Sequence, residues 1–393
     1  MRIGVLTTSY PRYPGDPAGH FVAGLNRYLV GRGHSVEVLA ASEPGASAAS
    51  EPVEPGVTVQ RIPSPLFYRG GAPDALAAGL DGARLAVAIE AARFSARLGQ
   101  LLRAGQAQAQ VGYDALISHW VVPCGMVAAA LGGDCPHIAV AHSSDVHLLR
   151  RLRLESAVRY VSSRARLVYT SASLRVPGAP GVVVPMGIDT AAFQGTPDQR
   201  AAARRRLAAA GPAVLFLGRL VAVKGVGLLL AALAQTGGLD LWIAGDGPLR
   251  AGLEAEALRR GLGPRVRFFG EVAGALRRDL LLACDALALP SLVLADGRTD
   301  GAPQVVLEGM AAGCAVVASR VGGVPELIQD AGWLVAPGDA GALAQALVEA
   351  VQPGRLRDER VAKALRRAAT YDWASVAPRI LGMGEGLTAP LGW

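Results

Sequence analysis

Two carboxylates, Asp300 and Glu308, stand eight positions apart in the second half of the chain. They follow an apolar run, Ala286 to Pro290, that predicts a buried strand, and they flank a predicted loop-to-helix boundary. An acid in the loop can accept hydrogen bonds from a hydroxylated ring, and an acid about two helical turns later can accept them from a ribose diol. Backbone N–H groups at the helix start favour negative charge. The spacing therefore predicts a sugar-nucleotide site; the alternative is an exposed loop acid plus a glutamate favoured by the helix dipole.

Two cations precede this segment. A predicted strand, Ala213 to Leu217, runs directly into Gly218 and Arg219, and Lys224 follows at the start of a predicted helix. Both side chains can converge on a pyrophosphate and stabilise the negative charge that a departing diphosphate gains. The alternative is a pair of surface cations near a helix start, where the helix dipole disfavours them.

In the first half, polar residues follow two predicted strands. His142 follows the predicted strand 137–141, and His119 follows the predicted strand 114–118. Open parallel sheets bind ligands beyond the carboxyl ends of their strands. A neutral imidazole can donate to one sugar hydroxyl and accept from another, and Asp145 can orient the loop or an acceptor hydroxyl. A histidine at a strand end is also commonly a satisfied polar group, which remains the alternative here.

The loop 9–21 joins the first predicted strand to a helix and is rich in Pro and Gly. Gly15 permits close backbone approach to a ligand, and Asp16 follows it. The loop lacks the G-x-G-x-x-G pattern of dinucleotide-binding folds, which argues against a nicotinamide enzyme. The alternative is a loop that only turns the chain.

Together these segments resemble the family-four retaining glycosyltransferases, whose E-x(7)-E motif corresponds to Asp300 to Glu308. The segment Gly218 to Gly225 is similar to that family's Gly-Arg-Leu-x-x-x-Lys-Gly, and His142-x-x-Asp145 to its histidine loop. The chain departs from the pattern with Asp300 instead of Glu, and with Gly15-Asp16 instead of a Gly-Gly pair. The resemblance implies that His142, Asp300, Arg219 and Lys224 are catalytic. It implies donor binding by Gly15, Asp16, Gly218, Arg219, Lys224, Gly245, Gly270, Val272, Gly301, Ala302, Pro303, Gln304, Val305 and Glu308.

Length and patterning indicate two domains. A chain of 393 residues with 51% hydrophobic content is too long to fold around one ordinary hydrophobic core. Predicted strands alternate with Ala- and Leu-rich helices in both halves. The prediction is an α/β protein, and the resemblance implies the GT-B fold, with two Rossmann-like parallel-sheet domains facing a central cleft. We expect an acceptor-side domain over 1–185, a nucleotide-sugar-binding domain over 186–370, and a helix within 371–393 that returns to the first domain. Residues 42–55 are predicted to be a flexible stretch.

Basic residues outnumber acidic ones by 39 to 32, and all but Lys224 and Lys363 are arginines. Seven arginines face the single acid Glu155 between positions 147 and 175, so a helix here would be strongly basic, and a strand is predicted near 166–170. A second basic amphipathic helix is predicted over 81–103. Such helices can lie on anionic membranes, so peripheral membrane association is a hypothesis beside that of an ordinary solvated face. No nucleic-acid-binding module is recognisable.

The same features predict the compartment. No apolar stretch is long enough to span a membrane, the start reads as a strand and not a signal peptide, and the four cysteines lack metal-ligand or disulfide spacing. We therefore expect a cytoplasmic protein, with attachment to the inner face of the membrane as the open alternative.

The resemblance implies a retaining transfer of a hexose from a nucleotide diphosphate sugar to an acceptor hydroxyl. A lipid-linked acceptor, or a precursor of a cell-envelope polysaccharide, is one alternative for the acceptor. No Asp-x-Asp motif is present, so we expect no metal and no cofactor beyond the donor. Two other functions stay open: a sugar-nucleotide epimerase of the same fold, and a non-catalytic nucleotide-sugar-binding protein.

Overall fold

A computed structural model describes residues 1–13, 15–16, 18–45, 50–67, 84–107 and 112–383. The chain divides into two compact units. The first unit comprises Met1–Gly187 with Trp373–Trp393, and the second comprises Ile188–Asp372. The sequence placed the corresponding boundaries after residues 185 and 370.

The first unit is built on an eight-stranded sheet with the order β3-β4-β2-β1-β5-β6-β7-β8. Its strands are β1 (Arg2–Thr7), β2 (Ser35–Ser42), β3 (Ser50–Glu54), β4 (Val57–Pro63), β5 (Ala115–His119), β6 (His137–Ala141), β7 (Arg166–Tyr169) and β8 (Val182–Val183). Strands β1, β5 and β6 are buried at every position except the partly exposed Arg2, because both faces of a parallel sheet are covered.

One edge of this sheet differs from the prediction. Strand β3 pairs with β4 in the antiparallel direction, whereas the other neighbouring strands of the sheet run parallel. It lies within the stretch 42–55 that was predicted to be flexible, of which residues 46–49 are outside the described part of the chain. A short turn, Pro55-Gly56, connects β3 to β4. The pairing was not predicted because an edge strand has a polar composition.

The helices of the first unit up to residue 187 are α1 (His20–Gly31), α2 (Arg84–Ala107), α3 (Met126–Leu131), α4 (Ser143–Arg151) and α5 (Ser156–Ser162). A π-helical turn, Val121–Gly125, precedes α3. The arginine-rich segment 147–175 contains the end of α4, a turn, α5 and strand β7, so its arginines do not lie on one helix, and β7 agrees with the strand expected near 166–170. Residues 81–83 of the predicted basic helix over 81–103 lie outside the described residues.

The second unit is built on a six-stranded parallel sheet with the order β11-β10-β9-β12-β13-β14. Its strands are β9 (Ala213–Leu217), β10 (Asp240–Ala244), β11 (Val266–Gly270), β12 (Ala286–Leu289), β13 (Ala315–Ser319) and β14 (Trp333–Val335). The strand order reverses between β9 and β12, and at such a point the loops leaving the two strands part and open a crevice.

Helices cover both faces of this sheet. They are α6 (Thr190–Phe193), α7 (Pro197–Arg206), α8 (Val226–Leu233), α9 (Arg250–Arg259), α10 (Gly274–Ala283), α11 (Gln304–Ala311), α12 (Val324–Ile328), α13 (Ala340–Val351) and α14 (Arg355–Ala369). The last helix, α15 (Trp373–Leu381), belongs to the first unit, where the indole of Trp373 packs against Gly24 of α1. Residues 384–393 of the predicted final segment are outside the described part of the chain.

The cysteines are less scattered in space than in sequence. Cys284 and Cys314 are buried and their sulfurs lie 3.4 Å apart, although thirty positions separate them. Each thiol donates to the carbonyl of Leu281. Burial raises the pKa of Cys124 in the first unit, which keeps this thiol protonated at neutral pH.

Candidate functional site

Three glycines form a row across the carboxyl ends of β9, β10 and β11. The Gly218 N–H donates to the carbonyl of Ala244 at 3.0 Å, and the Gly245 N–H donates to the carbonyl of Gly270 at 2.6 Å. At Gly245 a side chain would strike the Gly218 carbonyl oxygen. This edge of the second sheet is therefore bare backbone, which a ligand can approach closely.

Next to this row, at the reversal of strand order, the structure brings together two residues that lie 76 positions apart in the sequence. The Lys224 Nζ donates to Asp300 Oδ1 at 2.7 Å, and the Ser291 hydroxyl donates to Asp300 Oδ2 at 2.5 Å. Ser291 lies two residues after the end of β12 and is 1% exposed. Lys224 and Asp300, predicted as separate contacts to diphosphate and sugar, thus form one ion pair.

The backbone around this ion pair is fixed by two glycines. Gly225 has φ 65° and lies so close to Pro290 that a side chain would meet its carbonyl oxygen. Gly322 has φ 49° and lies in the same way against the carbonyl oxygen of Asp300. The next N–H, that of Gly323, donates to the Gly301 carbonyl at 2.7 Å. Since only glycine combines a positive φ with such close approach, these turns hold the ion pair in place.

Glu308 lies one turn from the end of α11 and is 0% exposed. Its Oε2 accepts from Arg277 of α10 at 2.5 Å, and the Arg277 guanidinium also lies 5.8 Å from the ring centre of Phe193. A buried carboxylate needs such a partner to remain charged. The predicted contact of Glu308 with a ribose stays a prediction, and Arg277 is a neighbour that the sequence did not indicate.

The remaining predicted residues of this unit surround the same edge. Arg219 is exposed immediately after Gly218, and Val272 is buried after β11. Gly301 and Val305 are buried, whereas Ala302, Pro303 and Gln304 are partly exposed. No side chain caps α11 at Pro303, and the first N–H groups of a helix have no partner within the helix.

The first unit gathers a different set of side chains beyond β5 and β6. The Nδ1 of His119 and the Nε2 of His142 lie 3.2 Å apart, and the rings are stacked with centres 5.5 Å apart. Burial lowers the pKa of His119 to about 3, and burial together with His119 lowers the pKa of His142 well below its usual value. Because both rings are neutral, one donates and the other accepts in this hydrogen bond.

Two aromatic side chains complete this cluster. The ring of Phe21 lies 5.1 Å and that of Trp120 lies 4.7 Å from the ring of His142, measured between centres. Trp120 has φ 68°, a conformation rare for a bulky residue, and its indole N–H donates to Ser144 at 3.1 Å. Backbone strain of this kind occurs often at functional sites. His119 ends β5 and Trp120 follows it, and this position at the carboxyl end of a strand was the available signal for them.

The Asp145 carboxylate is buried next to this cluster, and backbone N–H groups donate to it. It is 2% exposed and accepts from the N–H of Val121 at 2.5 Å. Burial raises its pKa to about 7, although backbone hydrogen bonds act in the opposite direction. Of the two roles predicted for Asp145, the geometry supports orientation of the loop.

The loop before α1 is held by its own side chains. The Asp16 carboxylate is 3% exposed and accepts from Arg12 Nε at 2.7 Å and from the Ala18 N–H at 3.0 Å. Burial opposes its ionisation, but these hydrogen bonds hold the pKa of Asp16 below its usual value. Asp16 therefore shapes the loop, and Gly15, with φ 85°, turns the chain beside it.

Family models match most of the chain. Residues 18–192 match the model described as Glycosyltransferase Family 4, and residues 211–352 match the model described as Glycosyl transferases group 1. The chain belongs to the family-four glycosyltransferases. A phosphatidyl-myo-inositol mannosyltransferase of Mycolicibacterium smegmatis is 29% identical to this glycosyltransferase, covering 98% of the chain and 94% of the relative. The epimerase alternative gains no support from these matches.

Solved structures show the same fold. The sucrose-phosphate synthase of Thermosynechococcus elongatus aligns with a TM-score of 0.78 at 21% identity, covering 98% of each chain. Anabaena Alr3699/HepE in complex with UDP aligns with a TM-score of 0.71 at 20% identity, covering 98% of this chain and 100% of the other. The predicted GT-B fold, with two parallel-sheet α/β domains, is confirmed.

Within the described residues, no group of three or more His, Cys, Asp or Glu side chains is arranged to hold a metal ion. No helix in the same part of the chain is both long enough and apolar enough to cross a bilayer.

Proposed function

We propose that this glycosyltransferase moves a hexose from a nucleotide diphosphate sugar to an acceptor hydroxyl with retention of anomeric configuration and without a metal ion. The observation that carries the proposal is the bare glycine row beside Lys224, at the point where the strand order of the second sheet reverses. Such a crevice suits a nucleotide, and a lysine there suits a diphosphate.

In this proposal the anomeric carbon loses its bond to the diphosphate oxygen and gains a bond to the acceptor oxygen on the same face of the ring. The leaving phosphate oxygen takes the proton of the acceptor hydroxyl. Arg219, Lys224 and the uncapped start of α11 stabilise the negative charge that develops on the diphosphate. These groups supply the charge that a metal ion would otherwise supply.

His142 is proposed to bind a hydroxyl of the transferred sugar. Its Nε2 is engaged with His119, which leaves Nδ1 for a ligand, and the neutral ring can donate or accept there. The low pKa of His142 excludes a charged imidazolium at neutral pH. We therefore assign His142 to binding and orientation, and the proton of the acceptor to the leaving phosphate.

The test is a screen of UDP, GDP, ADP and TDP sugars for thermal stabilisation and for slow donor hydrolysis. One nucleotide is expected to stabilise the protein, and NMR of the initial sugar product is expected to show the anomeric configuration of the donor. Turnover is expected to be unchanged by EDTA. Inverted product would contradict retention, and activity lost to EDTA and restored by magnesium or manganese would contradict metal independence.

We further propose that the acceptor is lipid-linked and that the first unit docks on an anionic membrane. The carrying observation is the turn between α4 and α5, residues 151–154, which we call the basic turn. Leu152 and Leu154 are 41% and 49% exposed there, and they alternate with the exposed Arg151 and Arg153. Exposed leucines beside arginines suit insertion among acyl chains under anionic head groups.

The side chains around the basic turn carry a large excess of positive charge. Arg150 donates to the carbonyls of Ser173 and Arg175, which brings the exposed Arg175 to the same face. Glu155 is the single acid between positions 146 and 188. The name of the mannosyltransferase relative denotes a phosphatidyl-linked acceptor. Helix α4 connects His142 to the basic turn, and its nine residues span about 13 Å. The head group of a lipid held at the basic turn can extend over this distance to His142.

Sedimentation with vesicles tests this docking. We expect the wild-type protein to sediment with phosphatidylglycerol vesicles at low salt and to remain free of phosphatidylcholine vesicles. The double variant Leu152→Ser, Leu154→Ser is expected to lose most of this binding, whereas Leu258→Ser, which changes a 70% exposed leucine of the second unit, is expected to retain it. Equal binding of the double variant and the wild type would overturn the assignment.

A further inference from the structure

We infer that Asp300 is a positioning residue for Lys224 and does not contact the transferred sugar, so that the acid of this motif serves the diphosphate. The inference rests on the proposed function, because it concerns how the donor is held. It assigns to Asp300 a role different from the sugar contact that the sequence predicted, and it adds Ser291 as a third member of the site.

Both oxygens of the Asp300 carboxylate are already engaged. Oδ1 accepts from the Lys224 ammonium at 2.7 Å, and Oδ2 accepts from the Ser291 hydroxyl at 2.5 Å. The side chains of Asp300 and Lys224 are only 13% and 21% exposed. The charge of Asp300 is therefore directed to the Lys224 ammonium in a charge-assisted hydrogen bond that is partly shielded from water, and a sugar hydroxyl would have to share an oxygen that already accepts one short hydrogen bond.

The backbone of Asp300 cannot move the carboxylate outward at low cost. Gly322 packs on its carbonyl oxygen, and Gly323 binds the following carbonyl. With the main chain fixed, the short aspartate side chain reaches Lys224 and Ser291. A glutamate in this position would carry its carboxylate one methylene, about 1.5 Å, further from the main chain.

Lys224 needs such a partner before the donor binds. It precedes α8, whose N-terminus carries the positive end of the helix dipole and disfavours a nearby ammonium. Asp300 offsets this repulsion and holds the ammonium beside the glycine row. When a diphosphate arrives, it finds a cation that is already oriented, and less conformational entropy is lost on binding.

The inference predicts which ligands respond to a change at Asp300. An acid that contacts the sugar affects the binding of a nucleotide sugar and leaves the free nucleotide unaffected. An acid that positions Lys224 affects both ligands by the same factor. The effect should also vanish once Lys224 is removed, because two residues that act through one contact are not additive.

The experiment measures dissociation constants by calorimetry for two ligand pairs, UDP with UDP-glucose and GDP with GDP-mannose. The proteins are the wild type, Asp300→Asn, Ser291→Ala, Lys224→Ala, and the double variant Lys224→Ala, Asp300→Asn. Asparagine keeps the size of the side chain and removes its charge. We expect Asp300→Asn to weaken a nucleotide and its sugar conjugate equally, by about tenfold, and Ser291→Ala to weaken both by a smaller equal factor.

The double variant is expected to bind as Lys224→Ala does, within about twofold, since the lost interaction acts through Lys224. Asp330→Asn serves as the matched control because Asp330 forms an exposed ion pair with Lys363, the other lysine, and it should bind as the wild type does. Weakening confined to the nucleotide sugars, or additive losses in the double variant, would overturn the inference. Failure of the wild type to bind either pair would overturn the proposed function with it, and is visible before any variant is made.

Discussion

The candidate site of the first unit and that of the second handle charge in different ways. All six histidines of the chain lie in the first unit, and both lysines lie in the second. The first unit buries His119, His142 and Asp145, and burial shifts their pKa values toward the neutral forms. The second unit pairs its charges, as in Lys224 with Asp300 and Arg277 with Glu308.

This difference separates two tasks. Neutral groups packed among aromatic rings suit a sugar, which offers hydroxyls and an apolar face. Paired cations beside bare backbone suit a diphosphate, whose charge grows as it leaves. Substitutions in the second unit should therefore weaken nucleotide binding, and substitutions in the first should change transfer or the response to pH.

The largest effect is expected from Lys224→Ala. We expect kcat to fall about 100-fold to 1000-fold, since one fixed group that stabilises developing negative charge is lost. Binding of the free nucleotide should weaken as well. Steady-state kinetics measure the first effect and calorimetry the second. Lys363→Ala is the control, because that lysine forms an exposed pair with Asp330, and kinetics of the control that match those of Lys224→Ala would contradict the assignment.

Arg277→Leu should destabilise the second unit. The change leaves the fully buried Glu308 without its guanidinium partner, and breaking a buried pair from one side costs about 3 kcal/mol. Urea unfolding measures the loss of unfolding free energy. Arg355→Leu removes an arginine that is 92% exposed and paired with Glu359, and it should cost little. Equal losses for the two variants would show that the buried pair is unimportant.

His142→Ala should separate transfer from nucleotide binding. We expect transfer to fall by about 10-fold to 100-fold, because a hydrogen bond to the substrate is lost, while the affinity for the free nucleotide stays within twofold. His142→Asn keeps a donor and should lose less. A parallel loss of nucleotide affinity would place His142 with the diphosphate groups of the second unit, and the contrast between the units would fail.

The strand pattern and the motif segments could be predicted because parallel strands are apolar runs with polar residues at their carboxyl ends. That rule found His119 and His142, and the motif resemblance found Gly218. Neither could find the partners of these residues, since Lys224 meets Asp300 only through the order of the sheet, and Arg277 meets Glu308 across two helices. The antiparallel strand β3 was not predicted for another reason, because an edge strand lacks the apolar pattern of a buried strand.

The last effect concerns pH and tests the first unit alone. The folded pKa of His119 is about 3, so the unfolded chain binds a proton below about pH 6.5 while the folded chain does not. The stability that depends on neutral His119 is complete above that pH and is lost as the pH falls. The slope is about 1.4 kcal/mol per pH unit, and His119→Gln should remove it.

Asp145 provides a control of opposite sign. Its folded pKa of about 7 lies above the unfolded value, so its contribution is complete at low pH and is lost as the pH rises from about 4 to about 7. Urea unfolding followed by circular dichroism between pH 4.5 and pH 7 should show the stability difference between wild type and His119→Gln falling toward acid. The difference for Asp145→Asn should rise toward acid. Desolvation disfavours the charged form of each group, which for histidine is present below its pKa and for aspartate above its pKa, so burial predicts slopes of opposite sign. Slopes of the same sign would mean that burial does not determine both pKa values.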